Sequence, residues 1–262
     1  MGQSAKRHTV IVTGGARRLG AIIVRELALR GHRVVVHHHH SDLDAHALVA
    51  DLSSDGRIAI ALEQDLAAAD ASVRLLAATR QAFGGPVTAI VNSASLFVHD
   101  QPPIADGGVI ERHMAVNLSA PVLLASAMAG QSDLVRGAIV NILDQKLANL
   151  NPDFFSYTCS KLALAGATTM LAQAFGPRIS VNAVSPGLTL PSSDQSAAEF
   201  AAVASINLLQ RPVDARKIAE AVAYLLEADG VTGQNIYVDN GQRFVPMARD
   251  VMFSTRDAVA HG

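Results

Sequence analysis

The sequence predicts an α/β fold, a single domain over residues 1–262 built on a doubly wound parallel sheet of about seven strands with helices on both faces. Two observations predict it. Short apolar, β-branched runs alternate with longer stretches of helical periodicity along the whole chain. Most of those runs lack the every-second-residue polarity of a strand with one wet face, so both faces of the sheet must be covered. Half of the 262 residues are hydrophobic, enough to bury a large core.

Each element follows from local pattern. Thr9–Thr13 (TVIVT) is β-branched throughout and predicts the first strand. A glycine-bearing turn runs from Gly14 to Gly20, and then AIIVRELALRG is apolar at helical spacing and closed by Gly31. Residues 33–37 (RVVVH) predict the second strand, 42–53 a helix and 57–62 the third strand. A helix over 67–83 stops at Gly84, Gly85 and Pro86, and 87–92 (VTAIVN) is the fourth strand. Beyond Pro102 and Pro103 a long helix is expected over 108–128, then a fifth strand over 137–143. A helix over 154–175 and a sixth strand over 179–184 follow. A loop with Pro186, Gly187 and Pro191 leads to a smaller helix near 196–208, within a segment, 192–210, expected to cover a substrate. Residues 215–227 predict a helix and 235–238 the last strand; the tail, 243–262, has no clear period.

Composition excludes several classes. A formal net charge of -2 argues against a nucleic-acid or membrane-surface partner chosen by bulk charge. No apolar run reaches the length of a membrane span, and MGQSAKRHTV has no signal-peptide core. The single cysteine, Cys159, allows no internal disulfide, which suits a reducing, cytoplasmic location; it reads as a packing residue.

The chemistry-bearing residues fall in three groups. The turn Gly14–Gly20, between a strand and a helix, suits a pyrophosphate, with backbone N–H groups and a helix N-terminus facing the ligand. An acid at the end of the second strand would bind both ribose hydroxyls and select NAD. This chain has His37, His40 and Ser41 there, facing Arg17 and Arg18 in the turn, which favours the 2′-phosphate of NADP. The four histidines 37–40 are not expected to hold a metal, since consecutive strand residues point to opposite faces. Tyr157 and Lys161 sit four apart on a helix and so share a face, where an ammonium would lower the phenol pKa. Asp144 lies thirteen positions before Tyr157, at the end of an apolar run.

Together these features resemble the short-chain dehydrogenase/reductase family over about 6–241. The resemblance rests on TGGARRLG at 13–20, the Asp65-Leu66 pair, NSAS at 92–95, Asn117, Tyr157 with Lys161, and Pro186-Gly187. Four departures from the common pattern are informative. Arg18 stands at the usual middle glycine, Ser95 at the glycine of NNAG, Asp144 at the catalytic serine, and the second strand ends in HHHHS. All four are similar to the pteridine reductase branch, which includes reductases of dihydropterins and dihydrofolate.

The resemblance implies a Rossmann-type fold, NADPH/NADP as cofactor, a pterin-like small-molecule substrate and a homotetramer. The cofactor would meet Gly14, Arg17, Arg18, Leu19, Gly20, His37, His40, Ser41, Asp65, Leu66, Asn92, Ser93, Ala94, Tyr157, Lys161, Pro186 and Gly187. Tyr157 would donate the proton, Lys161 would lower its pKa and hold the nicotinamide ribose, and Asn117 would have a water-positioning place in a relay. Arg18, Ser95, Phe97, Asp144 and Tyr157 would meet the substrate, Phe97 by stacking; plain core packing is the rival role for Phe97, and a helix-kinking polar residue for Asn117. An ionised Asp144 is acceptor-only and would repel a developing alkoxide, whereas a pterin ring offers N–H donors and takes a proton on a ring nitrogen. The alternatives are a carbonyl or 3-oxoacyl reductase of the same fold and a dinucleotide sensor without turnover.

Overall fold

β1 (Thr9–Thr13) is buried at all five positions, as a strand covered on both faces must be. The computed structural model describes residues 7–191 and 196–253. Residues 192–195 of the expected covering segment and 254–262 of the tail lie outside the described residues. After β1 come α1 (Arg18–Leu29), β2 (Arg33–His38), α2 (Asp42–Ser54), β3 (Ala59–Glu63), α3 (Ala71–Phe83) and β4 (Ala89–Asn92). Then follow α4 (Gly107–Met114), a π turn (Ala115–Ser119), α5 (Ala120–Ala129), β5 (Gly137–Ile142), α6 (Phe155–Phe175) and β6 (Ile179–Pro186). The chain continues through α7 (Ala197–Val203), α8 (Ala215–Glu227) and β7 (Asn235–Val238).

The strands form one seven-stranded sheet in the order β3-β2-β1-β4-β5-β6-β7, and every pairing is parallel. Alternation along β1 sends Val10 and Val12 to one face, packed with Ile23 and Leu27 of α1 and with Ile218 and Val222 of α8. Ile11 faces the other side, with Leu75 of α3 and with Leu124 and Met128 of α5. The chain direction across the sheet reverses between β1 and β4. Diverging connections open a crevice beyond the carboxyl ends of those strands, the place where doubly wound sheets bind ligands.

Where elements differ from expectation, the cause is local. The long helix expected over 108–128 is broken by the π turn, whose extra residue points Asn117 inward. α3 begins at Ala71 rather than at 67, because Asp65 turns the chain, accepting from Ala67 N–H at 2.9 Å. α7 is shorter than the expected 196–208 and is started by a capping box of Ser196 and Glu199. α6 is not buried all round within one chain: Leu162 and Met170 are exposed. No helix among the described residues is long and apolar enough to cross a membrane.

A buried polar chain ties the sheet to α6. Asn92 Nδ2 donates to Asn141 Oδ1 at 2.8 Å, Asn141 Nδ2 donates to Thr168 Oγ1 at 2.9 Å, and Thr168 donates to Leu164 O at 2.8 Å. Removing the middle member strands a donor on one side and an acceptor on the other, and buried groups left unpaired cost more than the bonds themselves. Asn141→Ala is therefore expected to lower stability by about 1–3 kcal/mol, seen as a lower urea midpoint with an unchanged slope.

Candidate active site

β5 ends at Ile142, and Asp144 follows in extended conformation. Its Oδ1 accepts from Lys146 N–H at 2.8 Å and so caps the short 3-10 turn Gln145–Ala148. Its Oδ2 accepts from the Tyr157 hydroxyl, also at 2.8 Å. One turn along α6, Lys161 Nζ donates to Ile142 O at 2.8 Å and lies 5.7 Å from the Tyr157 ring centre. Strand end and helix face thus bring Asp144, Tyr157 and Lys161 together. They line a cavity of about 640 Å³ with the glycine turn and the loop that follows β4.

Burial governs the protonation of all three groups. It is the largest cause raising the Asp144 carboxyl above its ordinary value. It also lifts Tyr157 well above the usual phenol range, with the neighbouring Asp144 carboxylate adding to the shift. Lys161 falls to about 8 because burial disfavours its ammonium, partly offset by Asp144. The expectation that Lys161 lowers the Tyr157 pKa is therefore corrected. The ammonium donates to a backbone carbonyl, and the carboxylate on the hydroxyl favours the protonated phenol. At rest Tyr157 is a held proton.

The glycine turn is tightly built. A Cβ on Gly20 would lie 2.0 Å from Gly14 O, and one on Gly14 would lie 2.9 Å from Ala94 Cα. Arg18 has φ +52, in the left-handed region where glycine is normally found. A non-glycine residue there costs roughly 1–2 kcal/mol, and Arg18 accepts that strain at the cavity wall. Arg17 also lines the cavity and is held to α2 by Asp44, with Nε at 2.6 Å from Oδ2.

The second strand's end is arranged differently from expectation. His37 Nδ1 accepts from Gly14 N–H at 3.1 Å, which leaves its Nε2 to donate to Gln64 O at 2.9 Å. Burial lowers its pKa to about 4, so the ring is neutral at physiological pH. His37 braces the turn from behind and is not a cationic ligand for a phosphate. His40 is exposed and stacked on His39 with ring centres 3.5 Å apart, and neither it nor Ser41 lines the cavity. Asp65 is an exposed turn-former, and Leu66 packs into the core beside Leu75. Asn92 is fixed by Asn141, and its Oδ1 is buried without a hydrogen-bond partner. Ser93 and Ala94 reach the cavity wall because both N–H groups donate to Thr13 Oγ1 at 3.0 Å. Pro186 and Gly187, where β6 ends, form the opposite wall. Among the described residues no three His, Cys, Asp or Glu side chains converge on a metal position.

At the substrate end, Asn117 is a clamp. Its Oδ1 accepts from Leu96 N–H at 2.7 Å, and its Nδ2 donates to Leu96 O at 2.9 Å and to Ser160 Oγ at 3.0 Å. Ser95 Oγ donates to the same Oδ1 at 3.3 Å. All of the side chain's bonding capacity is directed at holding the 95–97 loop against α6. Phe97 is 41% exposed, so it is not core. Its ring stacks on Phe154 at 4.1 Å and meets Tyr157 edge-on at 4.7 Å.

A profile of the family described as short chain dehydrogenase matches residues 8–202. The chain belongs to the short-chain dehydrogenase family. Among solved structures it is similar to FolM alternative dihydrofolate reductase 1 from Brucella canis, crystallised with NADP: 40% identity, TM-score 0.87, covering 93% of this chain and 96% of that one. It is 25% identical to dihydromonapterin reductase of Klebsiella pneumoniae, over 89% of this chain and 95% of that protein. It is 30% identical to NADPH-dependent aldehyde reductase 2, chloroplastic, of Arabidopsis thaliana, over 89% of this chain and 93% of that one.

Sequence reasoning missed part of this short-chain dehydrogenase site. Gln145, Lys146, Asp250 and Val251 also line the cavity, and Asp250 is anchored by Lys146 Nζ at 2.9 Å. No periodicity marks that stretch, and its partners are about a hundred residues away, so only the folded chain reveals it.

The protonation of Asp144 has a measurable consequence. Its folded pKa lies above its unfolded value, so its contribution to stability is complete at pH below the unfolded value and is lost as pH rises through the folded one. At pH above the folded value the ionised Asp144 works against folding. Asn can keep an acceptor on Lys146 N–H and turn its amino group to the Tyr157 oxygen. Asp144→Asn is expected to match or exceed wild-type stability at neutral pH and to lose any advantage below about pH 4; urea denaturation at both pH values checks this.

Proposed function

We propose that the protein is an NADPH-dependent reductase of a pteridine ring, of the dihydropterin or dihydrofolate type. The observation that carries this reading is the buried Asp144–Tyr157 hydrogen bond of 2.8 Å directly beside the exposed ring of Phe97. A planar heterocycle stacked on Phe97 would set its edge against an acceptor that tolerates N–H donors and an acid that can deliver a proton. Asp144 and Tyr157 titrate as one coupled unit, so a proton leaving the phenol would be replaced when the pair takes one up from solvent. The NADP-bound FolM structure and the dihydromonapterin reductase relatives support the same substrate class.

The residues present fit the dinucleotide. The turn at Gly14 and Gly20 leaves no room for a Cβ; the N–H groups of Gly14 and Gly15 are taken by His37, so the N-terminus of α1 at Arg18 would meet the pyrophosphate. Arg17, Arg18 and Leu19 would flank it, and Arg17, with His40 and Ser41 further out, would select a 2′-phosphate. Asp65 and Leu66 would border the adenine. Ser93, Ala94, Pro186 and Gly187 would wall the nicotinamide half, with the unpartnered Asn92 Oδ1 behind. When bound, the nicotinamide supplies the hydride. Lys161 would hold the nicotinamide ribose. Asn117 acts through the 95–97 loop that it holds, positioning Ser95 and Phe97. The apolar residues exposed on α5 and α6, Leu123, Leu162 and Met170, suit a homotetramer, and the lone Cys159 suits a reducing cytoplasm.

A second reading, a carbonyl reductase, is favoured by the aldehyde reductase relative. Turnover of dihydrobiopterin, dihydromonapterin and dihydrofolate with NADPH separates the two: oxidation of NADPH by at least one is expected, and none by any would sink the pteridine reading. Asp144→Ser is expected to lower pteridine turnover by about 100-fold or more while leaving or raising any carbonyl activity.

The pH profile supplies an independent check. The Lys161 ammonium is lost as pH rises through about 8, weakening the hold on the ribose. The ratio kcat/KM is expected to fall on the alkaline side with an apparent pKa near 8, and a profile flat through that value contradicts the role of Lys161.

A further inference from the structure

The stretch after β7 lacks any sequence period, yet it packs as a strap across the substrate end of the cavity. Its hold is polar and long-range. Asp153, fully buried ahead of α6, accepts from Arg249 Nε and Nη2 at 3.2 Å each and from Asp250 N–H at 2.8 Å. Phe253 stacks 6.1 Å from Phe154, the ring on which Phe97 rests, and Arg249 lies over Phe253 at 4.9 Å. This socket delivers the Asp250 carboxylate to the cavity wall. There the buried ammonium of Lys146 donates to Asp250 Oδ2 at 2.9 Å. The carboxylate is close enough to Asp144 and Tyr157 to favour the acid form of each.

A strap held by Asp153 and Phe253 does not need a second acid turned into the cavity. Taking a carboxylate and a lysine out of water is expensive unless their positions serve a purpose. What the arrangement provides is a rigid acceptor whose charge Lys146 compensates, on the same cavity as the acceptor Asp144. Two such acceptors match an amino group and ring N–H donors set against them and mismatch an oxo group in the same place. A site built to bond a donor at one ring position rejects a ligand with an acceptor there far more strongly than shape alone can.

We propose that Asp250, carried by the strap and fixed by Lys146, is a specificity-determining residue that selects amino-substituted over oxo-substituted pteridine rings. The proposal rests on the pteridine reading of the site. Its test is calorimetric binding to the NADP-loaded protein of 2,4-diaminopteridine and of lumazine, its 2,4-dioxo counterpart. Asp250→Asn keeps an oxygen for Lys146, so the strap stays anchored, but turns donors toward the ring. The wild type is expected to prefer the diamino ring, and Asp250→Asn to lose roughly 10-fold or more of that preference with NADP affinity unchanged, while the thermal midpoint falls because the buried Lys146 ammonium loses its counter-charge. Asp250→Ser, which removes the carboxylate without adding an amide, is read in the same way. An unchanged preference in both variants overturns the role of Asp250 while leaving the pteridine reading intact. A loss shared equally by both rings and NADP affinity overturns it too, since Asp250 then only holds the strap. A wild type that binds neither ring fails the pteridine reading itself, and the proposal with it.

Discussion

The hydrogen bond between Tyr157 and Asp144 sits where water hardly reaches, and much of the surrounding structure serves to keep it there. Its two ends come from different elements, a strand end and a helix, which must stay in register to within a few tenths of an ångström. Three buried contacts secure that register. Lys161 ties α6 to the end of β5 through Ile142 O, the Asn92–Asn141–Thr168 chain ties α6 to β4 and β5, and Lys146 N–H fixes the other carboxylate oxygen. These bonds join α6 to the strand ends at several points, so shifting α6 would break several at once.

The cofactor side depends on the same economy of space. β1 and α1 approach so closely that only glycine fits at 20, and the neutral ring of His37 occupies the gap behind Gly14. Buried, with both nitrogens engaged, His37 makes the turn rigid at the cost of any charge it could have offered a phosphate. The positive charge at this end of the cavity comes from the exposed arginine, Arg17, held at its angle by Asp44. Arg18 trades backbone ease for reach: in the left-handed region a glycine would be relaxed, but it would bring no guanidinium to the cavity wall.

Much of this was legible in the chain. Strands buried on both faces must be continuously apolar, so β1, β2, β4, β5 and β6 announce themselves, and the helices between them follow from their period. Tyr157 and Lys161 were visible from spacing, because a helix places residues four apart together, and Asp144 from its place in the family pattern. The remainder was hidden for physical reasons. A π turn adds one residue, marked here only by Asn117 within it and Pro121 just beyond, so the break at Ala115–Ser119 was read as one continuous helix. Residue type does not report φ, so Arg18 gave no sign of its strain. The direction of the His37 ring depends on Gln64 and Gly14, and the site of Asp250 on Lys146 and Asp153; none of these is near in sequence. That Asp144 raises the Tyr157 pKa was expected from the sequence, but the carbonyl of Ile142 that engages Lys161 was not, since distance along a helix face says nothing of it.

Asp144 also changes what kind of acid the site is. A serine at that position would hold its proton across the accessible pH range and could only donate or accept a bond. A buried carboxyl raised above its ordinary value, in one cavity with a lysine lowered to about 8, narrows the usual wide gap between the two. Two arrangements of one proton, on the ammonium or on the carboxyl, come closer in energy than they would in water. Tyr157 stands between them, bonded to Asp144 and next to Lys161 on the helix face. The cavity can therefore hold one exchangeable proton in more than one place near the Tyr157 hydroxyl, which a serine at position 144 could not arrange.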